Sequence, residues 1–320
     1  GFKDRILVLD VYKEVRFLRQ YSDSGDKDQL LSQAEKLRND GIIDSILIPP
    51  TDPTAISSIN KRWFNQSADC THTIKGVPVT SQIFAFESVE SDFLLQVDVD
   101  ILISTNTPGH DYLKGMISAL NDHPNALSIG FQIYQGSNSN FQPIEGTDGN
   151  IAPDVRCSLI HKNRLLNTLP IPNNCSSEGW DLSWYRALEK HQSANGLCSL
   201  RGGESDSFYI HIQNYRKTNR WVWSTIQHGV KQNLIPELQI GQPEVRGDIF
   251  SWCLPKRDEE VVVLLYADSD NSIEFRTTLE TLVRQDLENF GVVLINNSGS
   301  AKVLSESNEL LAKLEKHITF

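Results

Sequence analysis

Two aspartates, Asp98 and Asp100, stand one residue apart in the stretch SDFLLQVDVDILIS (91–104), directly after an apolar run of Phe93, Leu94, Leu95 and Val97. The run reads as a buried strand, so the carboxylates fall where that strand should end. On extended backbone, residues i and i+2 point to the same side. In open α/β sheets, ligands bind beyond the carboxyl ends of the strands. One carboxylate can then face a hard divalent cation, Mg²⁺ or Mn²⁺, while its neighbour reaches a ligand or bound water. Such ions favour oxygen donors and use substrate phosphates to complete their shell. The plain alternative is a solvated acidic turn after an edge strand, because Asp-x-Asp recurs by chance.

The elements around this pair follow an α/β order. RILVLDV (5–11) and DSILIPP (44–50) read as strands, separated by the helical spacing of Leu30, Leu31, Ala34 and Leu37, with Gly41 at the helix stop. TDPTAISSINKRWF (51–64) reads as a short helix in which Asp52 can cap and Pro53 suits the first helical position. After the acidic pair come a helix over 110–124, with Leu113, Met116, Ile117 and Leu120 on one face, and a strand over 126–134. A Gly-, Ser- and Asn-rich loop spans 135–154, the kind of segment that forms a wall of a binding site. GWDLSWYRALEKHQ (179–192) reads as an amphipathic helix and SFYIHIQN (207–214) as a strand carrying His211. Beyond about residue 250 the pattern restarts: strands at 259–270 and 290–300, helices at 272–285 and 307–317, and SWCLPKRDEE (251–260) as the linker. The expected organisation is a domain over 1–250 and a small second α/β unit over 259–320.

Composition narrows the partners. Apolar residues make up 39% and charged residues 22% of the 320, an ordinary globular balance. The formal net charge of −11 argues against binding a nucleic-acid backbone, which needs basic patches to release counterions. It leaves room for a phosphate-bearing ligand neutralised locally by a metal. No apolar run is long enough for a transmembrane segment. Five cysteines (Cys70, Cys157, Cys175, Cys198, Cys253) are widely spaced with no CxxC pair. That pattern reads as reduced thiols of a cytoplasmic protein and speaks against structural zinc. The tripeptides starting at Asn65, Asn174 and Asn296 fit the glycosylation pattern, which is frequent by chance.

The strand, helix, strand, acidic pair, helix, strand order resembles the GT-A fold of nucleotide-sugar glycosyltransferases, family 2 in particular. ESVESDFLLQVDVDILI (87–103) is similar to that family's segment ending in D-x-D, with Ser91 where the family usually has Gly. YLKGMISALNDHPNALSIG (112–130) looks like the helix and strand that follow. SEGWDLSWYRALEKHQSANG (177–196) looks like the family's E-D-x-D-L-x-x-R helix, and FYIHI (208–212) like the strand whose His supplies another metal ligand. The resemblance implies a Rossmann-type layered sheet with helices on both faces. It implies Asp98 at the ribose or metal, Asp100 on the metal, and His211 completing the site with Mn²⁺ or Mg²⁺. The expected activity is transfer of a sugar from a nucleotide-diphosphate sugar to a carbohydrate or lipid-linked acceptor, with inversion, in polysaccharide biosynthesis. The expected place is the cytoplasm, at most peripheral at the inner face of the membrane.

Two positions depart from the family. Gly179 stands where the family has the Asp that deprotonates the acceptor hydroxyl, leaving Glu178 or Asp181 as stand-ins. Either could instead bias the first turn of the helix that follows. The family's D-D-G-S turn is replaced by PPTD (49–52), in which Asp52 either serves the nucleotide or only caps its helix. A catalytically inactive GT-A-like module that supports a neighbouring catalytic domain is therefore the alternative. A nucleotidyltransferase is disfavoured, because DVYKEVRFLR (10–19) lacks the glycines its phosphate loop requires. VVVLLYADSDNSIEFRTTLETLVRQDLENFGVVLINNSGS (261–300) resembles the opening of a second family 2 unit, without an acidic pair of its own before Phe320. This unit reads either as the start of a second domain, with further domains possible in the parent protein, or as a half-domain packed on the first.

Overall fold

The computed structural model describes residues 2–12, 26–107, 109–131, 142–143, 153–202, 207–247, 249–252, 261–267, 272–284, 290–296, 301–314 and 318–319. Most of the 135–154 loop, the 253–260 part of the linker and the end of NNSGS lie outside them. The chain opens with β1 (Ile6–Val8), α1 (Lys27–Asn39), β2 (Ser45–Leu47), α2 (Pro53–Phe64) and α3 (Thr80–Ser88). It continues with β3 (Phe93–Val97), β4 (Ile101–Thr105), α4 (Tyr112–Asp122), β5 (Ala126–Phe131), β6 (Gln142–Pro143), β7 (Cys157–His161) and α5 (Lys162–Asn167). Then come β8 (Cys175–Ser176), β9 (Gly179–Trp180), α6 (Trp184–Asn195), β10 (Cys198–Gly202), β11 (Ser207–His211) and α7 (Arg220–Gln232). The last elements are β12 (Val261–Ala267), α8 (Ser272–Val283), β13 (Phe290–Asn296), α9 (Ala301–Glu306), α10 (Asn308–Lys313) and β14 (Ile318–Thr319).

This is a mixed α/β chain of small sheets, and it divides into two compact units. The first holds residues 1–99, 111–132 and 136–204, and the second holds 100–110, 133–135 and 205–320. The division falls between Val99 and Asp100, inside the stretch that reads as one strand with an acidic end. The stretch holds two strands instead, β3 ending before the aspartates and β4 beginning after them, with 98–100 as the connecting chain.

In the first unit, β1 and β2 pair in parallel, and a five-stranded sheet runs in the order β3-β7-β5-β10-β6. Its middle strand β5 is buried at every residue, and its one polar side chain, Ser128, shares a hydrogen bond with the Ser199 hydroxyl at 2.8 Å. Asp26 caps α1 by accepting from the Asp28 N–H at 2.9 Å, which satisfies a donor the helix itself cannot. Trp63 and Phe64 of α2, Ile83 and Phe86 of α3, and Trp180, Trp184 and Leu188 close into one apolar core. Cys70 and Cys175 form a disulfide within this unit, while Cys157 and Cys198 are free. The reduced-thiol reading is thereby corrected: two cysteines 105 positions apart in sequence are brought together by the fold, a contact that spacing does not encode. The thiol argument for the cytoplasm goes with it.

In the second unit, β4 pairs antiparallel with β11, and α7 packs Val222 and Ile226 onto Phe208 and Ile210 of β11 together with Trp252. Further along, β12, β13 and β14 form a parallel three-stranded sheet. Phe275 and Leu279 of α8 cover Leu265 and Ala267 of β12, which gives the restart a core of its own. No helix among the described residues is long and apolar enough to cross a membrane.

Candidate functional site

Asp100 immediately precedes β4, and the antiparallel register sets its first residue, Ile101, opposite His211 at the end of β11. Strand pairing therefore delivers the histidine to the carboxylate, with Nε2 of His211 3.5 Å from Oδ2 of Asp100. The same oxygen forms an ion pair with Nζ of Lys217. Lys217 follows a short 3-10 turn (Asn214–Arg216), and its carbonyl accepts the indole N–H of Trp223 in α7 at 2.9 Å. On its other side, Nδ1 of His211 lies 3.0 Å from both carboxylate oxygens of Glu244. Backbone bonds hold Glu244 there: the His211 N–H donates to Pro243 O at 2.6 Å, and the Val245 N–H donates to His211 O at 3.2 Å.

The imidazole is buried between two carboxylates. His211 bonds Glu244 through Nδ1 and presents Nε2 to Asp100; a protonated Nε2 donates to that carboxylate, and at a bare Nε2 a cation takes the proton's place between the two. The carboxyl of Asp100 is held well below the usual carboxylate range by its hydrogen bond with His211 and then by Lys217, against the opposing effect of burial. An imidazole nitrogen and a carboxylate oxygen this close are donors that suit one divalent ion. Glu244 behind the ring is the kind of outer carboxylate that orients metal-bound histidines. A buried acceptor without a hydrogen-bond partner, Oε1 of Gln213, lies two residues beyond His211. Asp100 and His211 thus fit a divalent ion as a two-donor set; no group of three or more His, Cys, Asp or Glu ligands is found among the described residues.

The other expected site residues belong to the first unit. Asp98 continues the β3–β7 ladder, its N–H donating to Arg156 O at 2.8 Å. Asp52 caps α2, accepting the Ala55 N–H at 2.8 Å, so the capping alternative describes its contact. Glu178 lies in the turn of the β8–β9 hairpin, exposed, with its N–H donated to Oγ of Ser176 at 3.2 Å. Asp181 is exposed and precedes a helix that begins only at Trp184, so neither carboxylate charges that helix's first turn. The helix expected from 179 starts five residues later because Gly179 and Trp180 pair as a strand with Ser176 and Cys175. Gly179 sits at φ +130°, and a Cβ there would lie 2.6 Å from His72 O and 2.9 Å from Thr73 C. Only glycine fits that crossing.

Reading by spacing missed two groups. Lys217 and Glu244 sit in polar turns with no periodicity, and only the strand pairing of β11 relates them to Asp100. In the first unit, Asp10 and Tyr12 follow β1 and Pro50 follows β2, at the carboxyl ends of two parallel strands. Oδ2 of Asp10 meets Nε2 of buried His72 at 3.0 Å, Oγ1 of Thr71 meets its Nδ1 at 2.9 Å, and the Tyr12 hydroxyl donates to Pro50 O at 2.8 Å. Burial, then Asp10, push the Tyr12 phenol up to about 12. An acidic residue before a Tyr at a strand end was the available signal. The chain matches no protein-family model and no curated protein sequence.

Proposed function

We propose that the chain is a metal-dependent glycosyltransferase of GT-A type. It would move a sugar from a nucleotide-diphosphate sugar to the hydroxyl of a carbohydrate or lipid-linked acceptor, with inversion. The observation that carries this reading is the pairing of Asp100 with His211, buttressed by Glu244. A strand-end carboxylate meeting an oriented imidazole is what a divalent site at a diphosphate requires. When bound, Mn²⁺ or Mg²⁺ supplies Lewis-acid stabilisation of the charge that develops on the leaving diphosphate. For that purpose Asp100 offers Oδ2, His211 offers Nε2, and Glu244 keeps the ring's other nitrogen protonated and its plane fixed. Asp98 is proposed for the ribose or the metal. Glu178 is the proposed base for the acceptor hydroxyl, with Asp181 the other exposed carboxylate of that segment. A lipid-linked acceptor would hold the chain at a membrane surface as a peripheral protein.

One observation favours a second reading, a non-catalytic GT-A-like module that binds carbohydrate or supports a catalytic neighbour. The position equivalent to the family's base is a glycine whose surroundings exclude any side chain. A thermal-shift series with nucleotide diphosphates, with and without Mn²⁺, separates the two. The transferase reading expects metal-dependent stabilisation by one nucleotide, since selective binding to the folded state raises apparent stability. It also expects that stabilisation to vanish in Asp100→Ala. Absence of a shift with every nucleotide leaves only the module.

A further inference from the structure

The cation already at Asp100 is an ammonium. Lys217 Nζ pairs with Oδ2, the one carboxylate oxygen that also faces Nε2 of His211. Both partners are largely shielded, with side-chain exposures of 17% for Lys217 and 25% for Asp100, so water screens the pair less than it would at an open surface. The lysine is also anchored: it closes the 3-10 turn after β11, and its carbonyl takes the Trp223 indole N–H. With Glu244 on Nδ1 of His211, the Lys217 ammonium is a positive charge in direct contact with Asp100 Oδ2.

We propose that Lys217 is the resident counter-ion of Asp100 and competes with divalent metal for the same carboxylate oxygen, so that this lysine sets the metal affinity of the site. The inference rests on the Asp100–His211 metal reading above and adds to it a residue that controls occupancy. A divalent ion binding at Oδ2 must displace the ammonium, and part of its binding free energy is spent separating a shielded ion pair. The freed Nζ, a strongly hydrated point charge on a flexible stem, is then available to a phosphate oxygen.

Mn²⁺ affinity is measured directly, by electron paramagnetic resonance of the free ion, on the wild type and on Lys217→Met, Lys217→Gln, Lys217→Arg and Asp100→Ala. Circular dichroism checks that each variant is folded. Lys217→Met and Lys217→Gln should bind Mn²⁺ at least tenfold more tightly than the wild type. Lys217→Arg, which keeps the charge, should stay within about threefold of it, and Asp100→Ala should lose binding. Equal or weaker Mn²⁺ binding by both folded neutral variants overturns the competition. Failure of the transferase reading registers separately, as the absence of any nucleotide-diphosphate binding to the wild type and to every Lys217 variant.

Discussion

At Gly179 a single hydrogen atom in place of a side chain keeps two segments in contact. The residue adopts φ +130°, and its α-carbon packs against the backbone of His72 and Thr73. The Trp180 N–H donates to His72 O at 3.0 Å and the Ile74 N–H donates to Trp180 O at 2.9 Å, so the crossing is stitched on both sides. Substituting the family's aspartate, Gly179→Asp, should therefore unfold the crossing and not restore a base. The backbone strain and the overpacking together should cost about 3 kcal/mol or more. Gly196→Ala is the control: φ is +65° there and nothing lies within 4 Å of the added Cβ, so only about 1 kcal/mol should be lost. Urea denaturation of the two variants reads the difference directly. A Gly179→Asp protein within about 0.5 kcal/mol of the wild type, an effect the size of an ordinary surface change, would show that the crossing is not as tight as described.

The hairpin that carries Gly179 is too short to stand alone, since β8 and β9 exchange bonds over only two residues each. Three things hold it: the stitched crossing, the burial of Trp180 in the aromatic core, and the Cys70–Cys175 disulfide. The indole N–H of Trp180 donates to Cys70 O at 3.0 Å, so hydrogen bond and disulfide tie the same two segments. Alkylation without reductant, followed by peptide mass mapping, should leave Cys70 and Cys175 unmodified. Reductant should expose both and lower stability by about 2–4 kcal/mol, as expected for a bridge closing a long loop. Alkylation of both cysteines before any reductant is added would refute the bridge. Buried Cys157, whose thiol is pushed up by burial, should remain unreactive in the folded protein either way. Elements with their own periodicity, such as α1, α4 and β12, were legible in the sequence because local spacing and caps define them. The hairpin was not: a two-residue strand has no period to detect, and its partners lie near residue 72. The same limit applied to the site. Asp100 and His211 stood out by residue type and strand context, whereas Lys217 and Glu244 became visible only through the pairing of β4 with β11.

At the scale of the whole chain, each compact unit has apolar clusters of its own among the described residues. One is built around Trp63, Trp180 and Trp184; the others are built on β11 with α7 and on β12 with α8. Chains with independent cores need not unfold as one cooperative step. The six tryptophans divide evenly, with Trp63, Trp180 and Trp184 in the first unit and Trp221, Trp223 and Trp252 in the second. Phenylalanine replacement of one trio at a time makes fluorescence report a single unit. The expected result is two denaturant midpoints that differ between the trios, while far-ultraviolet circular dichroism spans both. Mn²⁺ adds a directional test, because Asp100, His211, Glu244 and Lys217 all belong to the second unit. A ligand that binds only there raises the midpoint reported by Trp221, Trp223 and Trp252 by an amount set by its concentration over its dissociation constant. It leaves the other midpoint fixed if the units unfold independently. Coincident midpoints that move together on adding Mn²⁺ would mean that the units fold as one cooperative body. A Mn²⁺ shift confined to the first trio would overturn the proposed metal site at Asp100, and with it the proposed role of Lys217.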